Sequence, residues 1–356
     1  LSLVGSEMCI RDSFKGSSNR IVELQKNDGS IPWFKEGVFD AWNHLESVMA
    51  LNLLGYKKEK DLGFDYLKKN QLKDGSWYGQ LGSTVEFDED SGAFTGEESD
   101  AGSFIRDTNF AAYIATASWH DYLINKSKED LIKLWPTIFN AINFVIRNQS
   151  LEGEIRWAAK DESAPNDDAL ITGCCSIYKS LISAIKCAKI LDINVDEWKQ
   201  SLEKLGDAIK NKPELFDRTW DSKQRFSMDW YYPVLCGAIN GKKAEERINS
   251  QWNTFVINEK GCLCVSDQPW VTIAETAELA IALIKIEKED KARELLSWIK
   301  DYIDNDGAYW MGKQINEKVF WPMENPGWTS AAVILAYDAL NNFSKGSKIF
   351  LDDHLI

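Results

Sequence analysis

Six carboxylates recur along the chain at intervals of 46 to 67 residues: Asp40, Asp107, Asp168, Asp229, Glu275 and Glu324. Four of them have a tryptophan within five residues. Paired carboxyl groups flanking one bond are what glycoside hydrolysis requires, one protonated as acid and the other serving as base or nucleophile. Glu275 opens the apolar stretch VTIAETAELAIAL just after Trp270. Desolvation there is expected to raise its pKa and suit it to the role of acid. Asp107 stands between Arg106 and the Thr108-Asn109 pair. Hydrogen bonds from these neighbours are expected to keep it ionised, as a base. Asp168 and Glu324 are the further catalytic candidates for either role, with Glu154 behind them.

The residues beside these carboxylates suit a polyol ligand, because aromatic faces cover the C–H faces of sugars while amides and carboxylates take the hydroxyls. On that reasoning Asp40, Trp42, His44, Asn109, Asp229, Trp230, Tyr231, Trp270, Trp310, Trp321 and Trp328 are the candidate substrate-binding residues. Helix capping is the competing role for each Asp, since an Asp oxygen readily accepts a free N–H at a helix start. Capping does not explain the accompanying Trp and Tyr. His44 can bind a hydroxyl or pack, and His120, after Trp119, is expected to be a satisfied core group.

A repeat sets these residues in order. Gln25–Trp33 (QKNDGSIPW), Gln71–Trp77 (QLKDGSW), Gln149–Trp157 (QSLEGEIRW) and Asp304–Trp310 (DNDGAYW) are polar turns, each with Gly where a positive φ is wanted. Looser copies lie at Asn258–Trp270 and at Asp221–Trp230, which has no glycine. Amphipathic segments precede the turns: Arg20–Gln25, Asp61–Gln71, Leu131–Gln149, Asp196–Ile209, Ala244–Phe255 and Lys291–Ile303. Segments apolar nearly all round follow: Ala41–Leu54, Asn109–Ile124, Ala169–Leu191, Trp230–Ile239, Val271–Ile286 and Thr329–Leu340. Outer and inner helices alternating six times predict an all-α fold, an α/α toroid or (α/α)6 barrel of six helical hairpins. Residues 14–356 are read as that single domain, with each carboxylate at the entry to an inner helix. The segment 1–13 reads as translated sequencing adapter. The acidic, Gly-rich stretch 81–106 reads as a long loop, either a solvated insert, a lid over the mouth or a calcium site.

The QLKDGSW element at Gln71–Trp77 resembles the repeat of the terpenoid cyclase and protein prenyltransferase superfamily (the prenyltransferase/squalene oxidase repeat). Six-hairpin glycosidases share the same architecture. The resemblance implies an α/α toroid, and on the cyclase side a D-x-D-D acid or a zinc and diphosphate site. The nearest match to the first is Pro165-Asn166-Asp167-Asp168, which lacks the leading Asp. For the second, the inner-helix starts hold almost no Lys or Arg.

Composition narrows the partners. The 356 residues carry 41 Lys and Arg against 55 Asp and Glu, a net charge of −14, which argues against nucleic acid. No apolar run approaches the ~20 residues of a membrane span. Seven Cys without a CxxC pair and three His predict no metal site and reduced thiols, hence a cytoplasmic setting. No cofactor is expected, and the partner is a small molecule or glycan. The leading expectation is carboxylate acid/base chemistry on a carbohydrate or glycoconjugate. The alternatives are an isoprenoid cyclase or prenyltransferase-like enzyme, and a non-catalytic sugar- or lipid-binding toroid.

Overall fold

The computed structural model describes residues 10–79, 105–159 and 167–355, together with the backbone of two short strands, β1 (Glu86–Asp88) and β2 (Ala93–Thr95). These strands pair antiparallel with Glu86 opposite Thr95, and the rest of the acidic stretch 81–104 lies outside the described residues. Residues 1–9 lie outside them too, while Ile10 is buried and a helical turn leads from it into the first outer helix.

Outer and inner helices alternate as expected. The outer ones are α1 (Lys15–Leu24), α3 (Lys57–Asn70), α5 (Lys128–Arg147), α7 (Asp196–Asn211), α9 (Gly241–Phe255) and α11 (Glu289–Ile299). The inner ones are α2 (Ala41–Leu53), α4 (Thr108–Asn125), α6 (Ile171–Ile190), α8 (Ser227–Leu235), α10 (Ile273–Lys285) and α12 (Gly327–Asn341). Each inner helix packs on the next, and α12 returns to α2, so the inner ring is closed. Ala-, Ser- and Cys-rich faces let the inner helices approach closely, with Ala111, Ala115, Cys175, Ala184, Ala280 and Ala336 all fully buried.

The turn repeat staples the outer ring. Gln71 Nε2 donates to its own Gly75 carbonyl at 2.9 Å and to Thr137 of α5 at 2.9 Å. Gln25 bridges Gly29 and Glu59 of α3 in the same way, and Gln149 bridges Gly153 and Ser201 of α7. Each glycine has a positive φ and lies so close to the next helix that a side chain could not fit. The last turn closes the circle on the first helix: Ser17 Oγ donates to the Gly307 carbonyl at 2.9 Å. The cyclase-like QxxDGSW signature is accounted for by this packing.

Two features were not expected from the sequence. A five-stranded antiparallel sheet, β3 (Val256–Ile257), β4 (Gly261–Leu263), β5 (Trp270–Thr272), β6 (Gly312–Gln314) and β7 (Val319–Phe320), is built from the connections that enter α10 and α12. Its strands are too short to show alternation in sequence. At the far end of the barrel, α13 (Lys348–Leu351) and the residues after it plug the ring. Buried Lys179 and Lys285 grip Asp353 at 2.9 and 2.5 Å, and Lys186 donates to the Asp352 carbonyl at 2.9 Å. Among the described residues, a cavity lies at the opposite end, where the inner helices begin.

The staple predicts an asymmetry between glycines. In Gly75→Ala, φ of +98° and a Cβ overlapping the Asn140 carbonyl oxygen add strain to steric conflict. Urea titration should show a loss of about 3 kcal/mol or more. Gly241→Ala, at φ +59° with nothing within 4 Å, should lose about 1 kcal/mol. Equal losses would mean the turn is not seated on α5 as described.

Candidate active site

Asp107 stands at the barrel mouth because the loops around it are laced together. Thr108 N–H donates to the Trp157 carbonyl at 3.0 Å, Ala159 N–H to Arg106 at 3.0 Å, and Trp157 N–H to Asp168 at 2.9 Å. Asp107 N-caps α4, accepting from Phe110 N–H at 3.0 Å. It faces a cavity of about 240 Å³, with Thr108, Asn109 and Thr172 as the other polar side chains on its lining. The remaining walls are Trp42, Phe110, Ile155, Trp157, Leu170, Gly173, Cys174 and Ile177. Burial in these apolar surroundings outweighs the cap bonds and pushes the Asp107 pKa up to about 7.

That direction does not fit the base expected of Asp107 from sequence. Arg106 pairs with Asp74 at 2.6 Å, and Thr108 Oγ1 donates to the Arg156 carbonyl at 2.5 Å. Neither group holds Asp107 ionised, so Asp107 has the character of a proton donor rather than a base. Glu275 lies in the first turn of α10, which stands across the ring from α4. One of its carboxyl oxygens is buried without a hydrogen-bond partner.

The other sequence candidates divide sharply. Of the residues expected to catalyse or bind, Trp42, Asp107 and Asn109 line the cavity together. Asn109 is 4% exposed, and its Oδ1 has no hydrogen-bond partner. Asp168 does not fit a catalytic role. It is fully buried, accepts from Ala169 N–H at 2.7 Å and from Thr219 N–H at 2.6 Å, and lies 3.5 Å from Arg218. Arg218 also pairs with Glu154, so both carboxylates serve to pin loops. Asp40 is a saturated cap, holding Asn43 N–H at 2.8 Å and the Trp33 indole at 2.5 Å. His44 is likewise spent inside the protein. Its Nδ1 accepts from Ile31 N–H at 3.1 Å while Nε2 reaches the Gly63 carbonyl at 3.0 Å, and burial lowers its pKa to about 4. His120 is a core group, but neither ring nitrogen has a hydrogen-bond partner.

Trp230 turns to the outer ring, stacking on Phe255 and donating to the Arg247 carbonyl at 2.7 Å. Asp229, in the first turn of α8, is raised to about 6 by burial. The tryptophans of the sheet side pack on other aromatic rings. Trp270 meets Trp321 edge to face at 5.3 Å, Trp310 stacks on Phe320 and Trp328 meets Trp33. Glu324, half-buried beside them, has its pKa raised by burial.

Two carboxylates inside the barrel escaped the sequence reading. Glu46 of α2 accepts from the Trp42 indole at 3.0 Å and the Tyr113 hydroxyl at 3.2 Å. Glu278 of α10 accepts from Tyr232 at 2.8 Å and from Tyr231, which is thereby a buried partner of Glu278. Burial pushes Glu278 up to about 8, and burial plus the nearby Glu278 carboxyl pushes Glu46 well up. Both were visible as acids inside largely apolar inner helices, Glu46 in AWNHLESVMALNL and Glu278, one turn after Glu275, in IAETAELAIALIK. They share a second, very small cavity, tied to the first by the bond from Trp42, which lines the first, to Glu46, which lines the second.

A six-hairpin toroid whose mouth sets a proton-holding carboxyl on an aromatic cavity defines a glycoside hydrolase-like enzyme. Over 334 residues the chain is 39% identical to the MMP endo-(1,4)-3-O-methyl-alpha-D-mannosidase of Mycolicibacterium hassiacum, covering 94% of this chain and 88% of that protein. The chain belongs to that protein's family. Solved structures share the fold. A wild-type glycosidase superposes with a TM-score of 0.70 at 11% identity, over 95% of this chain and 98% of that one. The GH63 mannosylglycerate hydrolase from Thermus thermophilus, in complex with Tris and D-glycerate, superposes at 0.65 and 9% identity, over 90% and 99%. No family model matches the chain. Among the described residues no helix is long and apolar enough to cross a membrane, and the six cysteines there are free.

Glu278 gives a pH signature. Its unfolded carboxyl ionises from its ordinary 4.5, whereas the folded one keeps its proton to about 8. Folding stability should therefore fall as pH rises from 4.5 to 8 and level off above, this group adding up to about 1.4 kcal/mol per pH unit. Glu278→Gln, which does not titrate, should flatten that slope in urea titrations at pH 5 and 8. An unchanged slope would show that Glu278 is ionised in the folded barrel.

Proposed function

We propose that this protein is an endo-acting α-mannosidase that hydrolyses (1→4) bonds in a chain of 3-O-methylated mannose units. Asp107 is the proton donor and Glu275 the second carboxylate. The observation that carries the proposal is Asp107 itself: a carboxyl raised to about 7, at the edge of a cavity walled by Trp42, Phe110 and Trp157. A donor that keeps its proton near neutrality can protonate a glycosidic oxygen as the bond breaks. Glu275 rises from the opposite wall of the mouth, so a sugar chain laid across the opening passes between the two. The relative at 39% identity supplies the substrate class, and the cavity walls support it. A methylated hydroxyl can no longer donate and carries an apolar methyl, which apolar walls desolvate at no cost.

Hydrolysis then runs with balanced protons. Asp107 protonates the departing oxygen while Glu275, as carboxylate, attacks the sugar carbon or takes a proton from an attacking water. Trp42, fixed by its bond to Glu46, covers a sugar face.

The test is incubation with a 3-O-methylated α-(1→4)-manno-oligosaccharide and mass analysis of the fragments. Internal cleavage is expected, with the rate falling above about pH 7 as Asp107 loses its proton. Asp107→Asn keeps the helix cap, since Asn caps as well as Asp. It should fold normally yet lose about a hundredfold or more in kcat. Glu275→Gln should lose a comparable factor. Full activity in either variant would remove that residue from the mechanism, and absence of cleavage by the wild type would overturn the reading.

A further inference from the structure

Gly173 has no structural reason to be glycine. It lies in the first turn of α6, is not one of the positive-φ glycines, and a Cβ there would meet only Leu170 Cβ at 3.7 Å and Asn109 Cβ at 3.8 Å. Those are ordinary contacts, so alanine fits, and alanine is the better helix former. By contrast Gly29, Gly75 and Gly153 would each drive a Cβ into a neighbouring carbonyl oxygen. What a Cβ at 173 would take is space, because Gly173 lines the cavity one helical turn above Ile177.

Its neighbour carries the complementary signal. Asn109 is buried, lines the same cavity, and keeps Oδ1 without a partner. A buried carbonyl oxygen without a donor costs about 1–3 kcal/mol, which a ligand hydroxyl recovers. An acceptor beside an empty apolar corner matches a sugar that presents a hydroxyl next to an alkylated oxygen. In a (1→4)-linked 3-O-methyl mannose the free neighbour of the methoxy group is the 2-hydroxyl.

We infer that Gly173 is a specificity-determining position: it holds open the corner of the cavity that takes the 3-O-methyl group, while Asn109 Oδ1 accepts the adjacent 2-hydroxyl. This rests on the mannosidase reading of the same cavity. Filling the corner should penalise the methylated sugar and leave the unmethylated one in place. The hydroxyl contact, common to both sugars, should not discriminate.

The experiment compares kcat/KM on 3-O-methylated and unmethylated α-(1→4)-manno-oligosaccharides of equal length. Gly173→Ala should lower kcat/KM on the methylated substrate about tenfold, mainly through KM, and change the unmethylated one less than about twofold. Asn109→Ala should lower both by the same factor. Urea midpoints of both variants exclude misfolding as the cause, Gly173→Ala being expected to match or exceed the wild type. Parallel losses on the two substrates, or no loss on either, in Gly173→Ala would overturn the inference while leaving the mannosidase reading intact. A wild type that cleaves neither substrate overturns that reading, and the inference falls with it.

Discussion

The bifurcated donation of a glutamine amide is the contact on which this toroid depends. A ring of helices must fix the angle between successive hairpins, or it opens into a spiral. Gln25, Gln71 and Gln149 each tie a turn to the following outer helix through two carbonyls, and the glycine of the turn lets the two backbones touch. The carbonyls engaged on the neighbouring helix, Glu59, Thr137 and Ser201, are thereby bound to a specific partner, which sets register as well as distance. Closing the circle uses other chemistry, Ser17 and Arg20 on the Asp304–Gly307 turn.

Because the ring is closed and its far end is plugged by Asp352 and Asp353, a polar group inside it finds its partners within the barrel, on a ligand, or, as with His120, not at all. Glu46 and Glu278 illustrate the internal solution. Their donors are the Trp42 indole and the hydroxyls of Tyr113, Tyr231 and Tyr232, which favour the ionised forms but are outweighed by burial and, for Glu46, by the nearby Glu278 carboxyl. Asn109 Oδ1 and one oxygen of Glu275 stand on the other side of that division, buried and unpartnered at the open end.

Much of this was legible in the sequence, and the reasons for the misses are physical. The six hairpins showed because the DGSW-type turns and the two kinds of helix each carry a strong periodic signal. The position of Asp107 at an inner-helix start showed for the same reason. Its protonation state did not, because it depends on where Arg106 and Thr108 turn, and both turn away, to Asp74 and the Arg156 carbonyl. Asp40, Asp168 and His44 have the residue types of a binding site but exhaust their bonding capacity on local backbone, a matter of tertiary geometry alone. Trp230 and Tyr231 adjoin in sequence, yet helical geometry sends one outward to Phe255 and the other inward to Glu278. Glu46 and Glu278 could have been found from the rarity of an acid in the interior of a largely apolar helix.

The apolar character of the mouth then links two properties that look separate. Trp42, Phe110, Ile155, Leu170 and Ile177 remove water from around Asp107, and that desolvation is the largest cause of its raised pKa. The same surfaces, under the proposed reading, receive the methyl groups of the substrate. A polar wall built to bind free hydroxyls would hydrate or hydrogen-bond the carboxyl and pull its pKa back toward 3.8, weakening it as a donor at neutral pH. Under the proposed reading the conflict does not arise, since the groups that would recognise a methylated substrate also raise the pKa of the carboxyl. The net charge of −14 bears on the same point. With burial raising the pKa of Asp107 at the mouth, and of Glu46 and Glu278 inside the barrel, these three carboxyls carry less of that charge near neutrality than the sequence count suggests.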